Sequence, residues 1–422
     1  MKKKLLDAGH RLVWQRIPRE TRRAMLFSAA RLLAPVITPR AQPAAPFIIV
    51  GALRAATGLG ESARLCHDAL KVLGLPVYGV DIGSVLRQQD GVPFEFEDGR
   101  QLTGTGTLIL HVNAPMMSVA MLALPRTIVR DKHVVGYWAW ELPSVPDDWL
   151  AGLQYVHEVW VPSEFTARAV EKIAGLIPVL VVPHPVAIRV SIENRRFRAC
   201  RETFQVITIF NMASSFERKN VLGAIAAFKL AFGDNPWSQL FVKCTNADAY
   251  ADGAKLLREA CRGSANVTLH VGLMTSTEMA DLYDRADVLI SLHRSEGFGL
   301  TVAEAMLAGL AVVATNWSGN VDFLSEETGV PISYDLVPAH DAQDTYNFPD
   351  MSWAEPRIKH AAAELQKLRG DPERLRRLGQ NAARFAREVL GAETYGRVLK
   401  AQLPTGSKVP TQRTEPREAL AG

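Results

Sequence analysis

Two glutamates, Glu296 and Glu304, bracket the stretch Glu-Gly-Phe-Gly-Leu-Thr-Val-Ala-Glu. Glu296 follows a strand-like apolar run over 287–292. Glu304 lies inside a helix-like run over 300–307 that stops at Gly309. A strand, a glycine-bearing turn and a helix start make a phosphate cradle. Backbone N–H groups at the helix start lack intrahelical partners, and the helix dipole favours an anion there. Glu296 stands at the mouth of that cradle and Glu304 a turn or so into the helix, each able to accept hydrogen bonds from hydroxyls. One acid on each side of a phosphate site suits a nucleotide-sugar, with the sugar on one flank and the ribose on the other.

The segment resembles the Glu-x7-Glu motif of the retaining glycosyltransferases of family 4. The likeness continues through Gly297, Phe298, Gly299, Leu300 and Thr301, then Ala305, Met306, Gly309 and the apolar run 311–314. The resemblance implies the GT-B fold, in which two Rossmann-like domains face a central cleft, and a bacterial polysaccharide-assembly type of enzyme. Residues 210–220 read Phe-Asn-Met-Ala-Ser-Ser-Phe-Glu-Arg-Lys-Asn and precede a helix-like run. Arg218 and Lys219 at a helix start form a candidate diphosphate clamp. In the family a lysine here meets the donor diphosphate, and Lys219 holds that position. An arginine that many members carry about six residues earlier is replaced by Ala213, so Arg218 or Lys243 is expected to complete the clamp.

The first half offers a second glycine-rich loop, Thr57-Gly-Leu-Gly-Glu-Ser-Ala63, after the apolar run 47–51. Gly58, Gly60 and Ala63 fit a dinucleotide fingerprint, with Asp81 about twenty residues on. That pattern carries a rival reading, an NAD-dependent oxidoreductase. Its spacing is wrong, because the first fingerprint glycine belongs directly after the strand and Gly58 comes about seven residues later. A long loop here resembles the family's first loop, which reaches over donor and acceptor. His111 and Asn113, two apart at a strand end, share one face. The resemblance makes either a candidate to face the donor sugar, and a core histidine is the alternative. Trp138, Trp140 and Glu141, in Gly-Tyr-Trp-Ala-Trp-Glu-Leu142, gather flat rings and an acid that suit an acceptor sugar. A plain aromatic core patch is the alternative there. Gly319 and Asn320, after the run 311–314, are further donor-sugar candidates, or simply turn residues.

These residues need a scaffold to bring them together. Apolar strand-like runs at 47–51, 77–80, 108–112, 134–138, 158–162 and 179–183 alternate with helical stretches. A second series, 205–210, 240–244, 267–271, 288–292 and 311–314, begins after a break that holds His184-Pro185 and a basic run near residue 195. Alternation of this kind means parallel sheets covered by helices, α/β in class. The expected organisation is an extension and linker over 1–46 and an acceptor domain over 47–195. A nucleotide-sugar domain follows over 196–375, then helices crossing back over 376–403 and a disordered tail over 404–422.

Composition sets the remaining bounds. Hydrophobic residues make up 48% of the 422, ample for two cores. No run of eighteen apolar residues is present, and no signal peptide is evident. Cys66, Cys200, Cys244 and Cys261 lack metal-ligand spacing and read as reduced core thiols of a cytosolic enzyme. The whole-chain charge is +4, yet residues 1–40 hold ten Lys or Arg against Asp7 and Glu20, leaving the rest acidic. Those cations are interleaved with Leu, Trp, Ile and Phe. The pattern suits a helix on an anionic membrane surface, or one packed on its own domain. The expected protein is therefore a cytoplasmic, metal-independent enzyme without a bound cofactor, peripheral on the inner membrane face. The resemblance implies a GDP- or UDP-sugar donor and a glycan or lipid-linked acceptor, and no nucleic-acid partner is expected. A non-catalytic scaffold of the same fold is the remaining alternative.

Overall fold

The computed structural model describes residues 28–402 apart from 29, 89–90 and 188–202. Most of the basic N-terminal segment, Cys200, the basic run near 195 and the 404–422 tail therefore lie outside the described residues.

Two parallel six-stranded sheets form the two halves. The first is built from β1 (Phe47–Gly51), β2 (Val77–Asp81), β3 (Gly106–Leu110), β4 (Lys132–Tyr137), β5 (Glu158–Val161) and β6 (Val179–Val181) in the order β2-β1-β3-β4-β5-β6. Its central strands are buried along their whole length, as strands covered on both faces must be. Helix α1 (Gly58–Val72) follows β1, and α2 (Glu164–Ala174) lies between β5 and β6. Both are capped by hydroxyls: Thr57 accepts from Gly60 N and Ser163 from Thr166 N.

The second sheet uses β7 (Phe204–Asn211), β8 (Ser238–Thr245), β9 (Val267–Val271), β10 (Val288–Ser291), β11 (Ala311–Thr315) and β12 (Val330–Ile332), ordered β12-β11-β10-β7-β8-β9. Its connecting helices include α3 (Val221–Phe232), α4 (Ala251–Cys261), α5 (Ser276–Arg285) and α6 (Leu300–Leu307). The order reverses direction between β7 and β10. Open α/β sheets bind ligands outside the carboxyl ends of the strands at such a switch point. The loops leaving β7 and β10 are those that carry Lys219 and Glu296.

Two features depart from the sequence expectation. The charged, helix-like sequence from 354 onward hides a strand over 352–356. It is β14 (Ser352–Pro356), pairing antiparallel with β13 (Tyr334–Pro338). The alternation Trp353-Ala354 against Leu336-Val337 is short and lies beside helix-forming residues, so its period-2 signal is lost. This hairpin belongs to the second half in sequence but packs into the first. Tyr346 and Trp353 are buried in the cluster that holds Trp140, Leu142 and Trp149. The return of the chain also begins later than expected. Helix α7 (Ile358–Gly370) and α8 (Pro372–Leu390) pack on the second half, Leu390 among them. Only α9 (Ala392–Gln402) reaches the first, where Tyr395 shares a hydrogen bond with Cys66. The sequence break between those helices is Gly391, an N-terminal feature of the crossing that a uniform charged helical pattern hides. Cys66, Cys244 and Cys261 are free thiols.

Trp353 is 2% exposed, and it anchors the hairpin to the other half. Trp353→Ala is expected to destabilise the protein by about 3–5 kcal/mol, read as a lower urea midpoint by circular dichroism. An unchanged midpoint would show that the hairpin is not anchored there.

Candidate functional site

A cleft of about 900 Å³ runs between the halves. Its floor on the second-half side is the loop from β10 to α6. Gly299 caps α6 with φ of +97°, a left-handed conformation that suits glycine, and no side chain caps the helix. The N–H groups of the first turn are thus left toward the cleft, which Leu300 and Thr301 border. The loop itself is pinned from several sides. Glu296 N donates to Ser318 Oγ, Gly319 N donates to Glu296 O, and Gly297 O accepts from Ser163 Oγ at 2.6 Å and Thr166 Oγ1 at 3.3 Å. Gly319 lies so close to Gly297 O that any Cβ would clash.

Glu296 is buried and paired. Its Oε1 lies 2.5 Å from Lys219 Nζ and its Oε2 3.1 Å from Arg218 Nη1. Burial pushes its carboxyl up, but Lys219, Arg218 and His293 outweigh that and hold it at about 2. Lys219 is driven down by burial and held up by Glu296. Arg218 is buried more deeply than a diphosphate clamp should be. Nη1 donates to Ser295 O at 2.7 Å and Nη2 to Ser214 O at 2.9 Å. Tyr346 lies under the guanidinium at 5.5 Å. Arg218 borders the cleft, as expected of a donor contact, but its guanidinium is also held by Ser295 O, Ser214 O and Glu296, with the short helical turn Phe216–Lys219 carrying it inward. Lys219 and Lys243 border the same cleft, together with Glu296.

Glu304 has a different setting. Tyr283 Oη donates to its Oε2 at 2.7 Å. Burial and the nearby charge of Glu61 raise its carboxyl to about 7, against the lowering effects of Tyr283 and Lys243. Lys243, on β8, is lowered by burial and raised by Glu304. Tyr283 and Glu61 were not legible as site residues. Tyr283 occupies an ordinary apolar position of α5, and Glu61 reads as a first-turn helix acid.

In the first half the structure separates the candidates. His111 is 2% exposed, hydrogen-bonded to Ser62 Oγ at 2.7 Å and stacked on Tyr137 at 4.6 Å. Burial and His184 hold it well below the usual histidine range. It is a core residue and does not border the cleft, so its place as a catalytic candidate is withdrawn. Asn113 does border the cleft, with its Oδ1 accepting from Ala139 N at 2.9 Å. Trp138 is wholly buried against Trp149 and cannot be an acceptor wall. Residues two apart on a strand continuation share a face. Trp140 takes its neighbours partly from the hairpin, and its indole N–H donates to Ser144 O. It borders the cleft at its edge, and Glu141 lies beside it. Glu141 Oε2 accepts from Tyr346 Oη at 2.9 Å and Oε1 lies 3.9 Å from Arg218 Nη2. Gly58 borders the cleft in open space. Gly60 instead allows close approach to Ala52 O and Ala55 O, within 2.8 Å of a Cβ built there. Asn320 is likewise turned inward, accepting at Oδ1 from His293 Nε2 in one tautomer and donating to Thr315 O. Phe298 packs its ring under the loop, 4% exposed.

Asp81, the ribose acid of the oxidoreductase reading, is occupied by the backbone. Its Oδ1 accepts from Leu53 N at 2.9 Å and Gly83 N at 3.2 Å, and Arg54 lies 3.7 Å from Oδ2. Among the described residues no group of three His, Cys, Asp or Glu side chains converges as a metal site.

Comparison with known proteins bears on the same segments. Residues 201–336 match the family model described as "Glycosyl transferases group 1", which spans the β7–β12 half and both glutamates. A D-inositol 3-phosphate glycosyltransferase of Streptomyces bingchenggensis is 34% identical over 113 residues, 26% of this chain and 20% of that protein. A lipopolysaccharide core biosynthesis mannosyltransferase of Rhizobium meliloti is 43% identical over 85 residues, 19% of this chain and 24% of that protein. The matches thus span between a fifth and a quarter of the curated relatives. Among solved structures, a sucrose-phosphate synthase from Thermosynechococcus elongatus superposes with a TM-score of 0.60 at 15% identity, covering 85% of this chain and 98% of that one. HepE of Anabaena, in complex with UDP and glucose, superposes at 0.57 and 13%, covering 84% and 98%. The fold is the two-domain GT-B arrangement of these glycosyltransferases, and the β7–β12 half matches group 1.

Lys219 and Arg218 share the Glu296 carboxylate, so removing Lys219 leaves that carboxylate one cation short. Lys219→Met is expected to destabilise by about 1.5–3 kcal/mol, the worth of a hydrogen bond between charged groups, and Glu296→Gln to cost less in the Lys219→Met background than alone. Additive losses in urea denaturation would show that the pair is not coupled.

Proposed function

We propose that the protein is a glycosyltransferase that uses a nucleotide-diphosphate sugar. The observation that carries the reading is the pair of glutamates held in opposite electrostatic states on the two flanks of an uncapped helix start. Glu304, beside Tyr283, is placed for the ribose hydroxyls. Lys219, Lys243 and the first turn of α6 face the position of the diphosphate. Glu296 and the backbone of Gly297, Phe298, Gly299, Leu300 and Thr301 hold the sugar. The family resemblance favours a retaining reaction from a GDP- or UDP-linked donor, and the mannosyltransferase relative favours mannose as the transferred sugar. Stabilisation of the departing diphosphate by Lys219 and the helix dipole would supply much of the rate, with no metal ion needed for that charge. Glu141 and Trp140, with Asn113 nearby, form the acceptor side. A lipid-linked or growing polysaccharide acceptor suits that broad opening.

The chemistry separates the roles. An ionised carboxylate accepts hydroxyl hydrogen bonds on both oxygens and more strongly than the neutral acid does. Glu304 titrates at about 7 without ligand, and ribose binding favours its ionised form and lowers that value. Nucleotide affinity should therefore be weak below the bound-state value, rise with pH, and be full above about 7, with the slope lost in Glu304→Gln. A panel of nucleotide-sugars read by thermal shift tests the reading. A donor at a hundred times its Kd should stabilise by about 2.7 kcal/mol, and Glu304→Ala should abolish the shift. If no nucleotide-sugar shifts the wild type, or Glu304→Ala shifts as much, the donor site is wrong.

A membrane-facing role is proposed for the first half. Leu32 (86% exposed), Leu33 and Val36 are exposed apolar side chains, and Arg126 donates to Leu33 O on the same face. Apolar side chains beside cations suit an anionic bilayer surface. Leu32→Asp with Leu33→Asp should weaken co-sedimentation with phosphatidylglycerol vesicles. Unchanged co-sedimentation would remove this face from the membrane contact.

A further inference from the structure

A column of rings crosses the seam between the halves. His111 stacks on Tyr137 at 4.6 Å, Tyr137 on His184 at 5.3 Å, and His184 meets Phe298 edge-on at 4.7 Å. Its far end is the Gly297–Leu300 loop, where the sugar is placed. His184 is 4% exposed and borders the cleft.

The hydrogen bonds fix its chemistry. Tyr137 Oη donates its single hydrogen to Val182 O at 2.6 Å. The same oxygen lies 3.0 Å from His184 Nδ1. With its hydrogen committed, Tyr137 accepts there, so Nδ1 carries the proton. In the neutral ring Nε2 is then a bare acceptor. Nε2 has no hydrogen-bond partner among the described residues. Burial holds the ring neutral, its value pushed down to about 3.

We propose that His184 is a donor-sugar contact, with Nε2 accepting a hydrogen bond from a sugar hydroxyl and Tyr137 acting as the positioning residue that locks the tautomer. The inference rests on the nucleotide-sugar reading and deepens it. A bare nitrogen lone pair repels the phosphate oxygens, which at neutral pH offer no hydrogen to donate. A hydroxyl is the group of the donor that can satisfy it at this place. The proposed function assigns the nucleoside flank to Glu304 and Tyr283, whereas His184 packs on Phe298 of the loop assigned to the sugar. The contact is also insensitive to neutral pH, unlike that of Glu304, because the ring does not titrate there.

The test compares GDP with GDP-mannose, and UDP with UDP-glucose, by titration against the full chain. In the wild type one sugar nucleotide should bind more tightly than its free nucleotide. His184→Phe keeps the ring column and removes Nε2. It should leave nucleotide affinity unchanged and weaken the sugar nucleotide by about three- to tenfold. Tyr137→Phe should weaken the sugar nucleotide too, and add nothing in the His184→Phe background. His184→Gln, should His184→Phe fail to fold, should retain nucleotide binding and lose part of the sugar preference. A variant lacking Nε2 that keeps the full sugar preference overturns the contact, as does a wild type that binds nucleotide and sugar nucleotide equally. A wild type that binds neither overturns the donor site itself.

Discussion

The structure depends on a buried set of charges at the seam. Glu296 lies against Lys219 and Arg218, and Arg218 in turn faces Glu141. Two acids and two bases come from three separate loops. Burying one such ion alone costs several kcal/mol, and pairing offsets that only when the geometry is good and the remaining hydrogen bonds are made. Here the geometry is set by backbone: Ser295 O and Ser214 O hold Arg218 while Ser318 holds the amide of Glu296. Each loop is therefore constrained by the charges of the others. A consequence follows for the donor. Lys219 is already engaged by Glu296, so under the proposed function a diphosphate would compete with that carboxylate for it, and sugar hydroxyls would be the compensation.

The two halves meet through directional bonds. Ser163 and Thr166, at the start of α2, donate to Gly297 O in the donor loop. Asn211 donates across to Ala56 O in the glycine-rich loop at 2.9 Å. Tyr346, carried on the β13–β14 hairpin, reaches Glu141 and lies under Arg218. The same hairpin fastens the loop after β7, where Asp341 accepts from Ser215 Oγ and Gln343 from Phe216 N. Acceptor-side and donor-side residues are thus held by one element. Movement of the halves would strain these bonds together, so opening and closing of the cleft is expected to be coupled to the arrangement of the charged loops.

Sequence reading found what is local and periodic. Strands such as Val267–Val271 stand at their expected places because an apolar run flanked by turn residues has one good solution. The turn and helix start of the motif were legible for the same reason: Gly299 and the following helix-formers lie next to each other in sequence. What stayed hidden is what packing decides. His111 and Asn113 carry the same period-2 signal, yet Ser62 and Tyr137 enclose one and leave the other at the cleft. Trp138 and Trp140 divide similarly, since the core of the first half and a hairpin two hundred residues away claim them. Arg218 and Lys219 are adjacent basic residues at a helix start, and only the fold shows which turns inward. His184 carries no signal beyond a break in the strand pattern, because its tautomer is a property of Tyr137.

The two glutamates of the motif show how far environment outweighs residue type. Glu296 is kept at about 2 by cations that overcome its burial, and Glu304 is pushed to about 7 by burial and by Glu61. One is a fixed negative charge whose partners are cations. The other is poised near neutrality, with a tyrosine hydroxyl and a cleft lysine around it. Eight residues of chain, a single left-handed glycine and one helix start separate them. A carboxylate already ionised against cations can exchange a cation for the hydroxyl hydrogens of a sugar without changing its own charge. A carboxyl near its midpoint binds hydroxyls by becoming ionised, and a cation such as Lys243 nearby favours that change. One residue type thus supplies two electrostatically distinct carboxyl groups, and the proposed function assigns the two flanks of the donor from that difference.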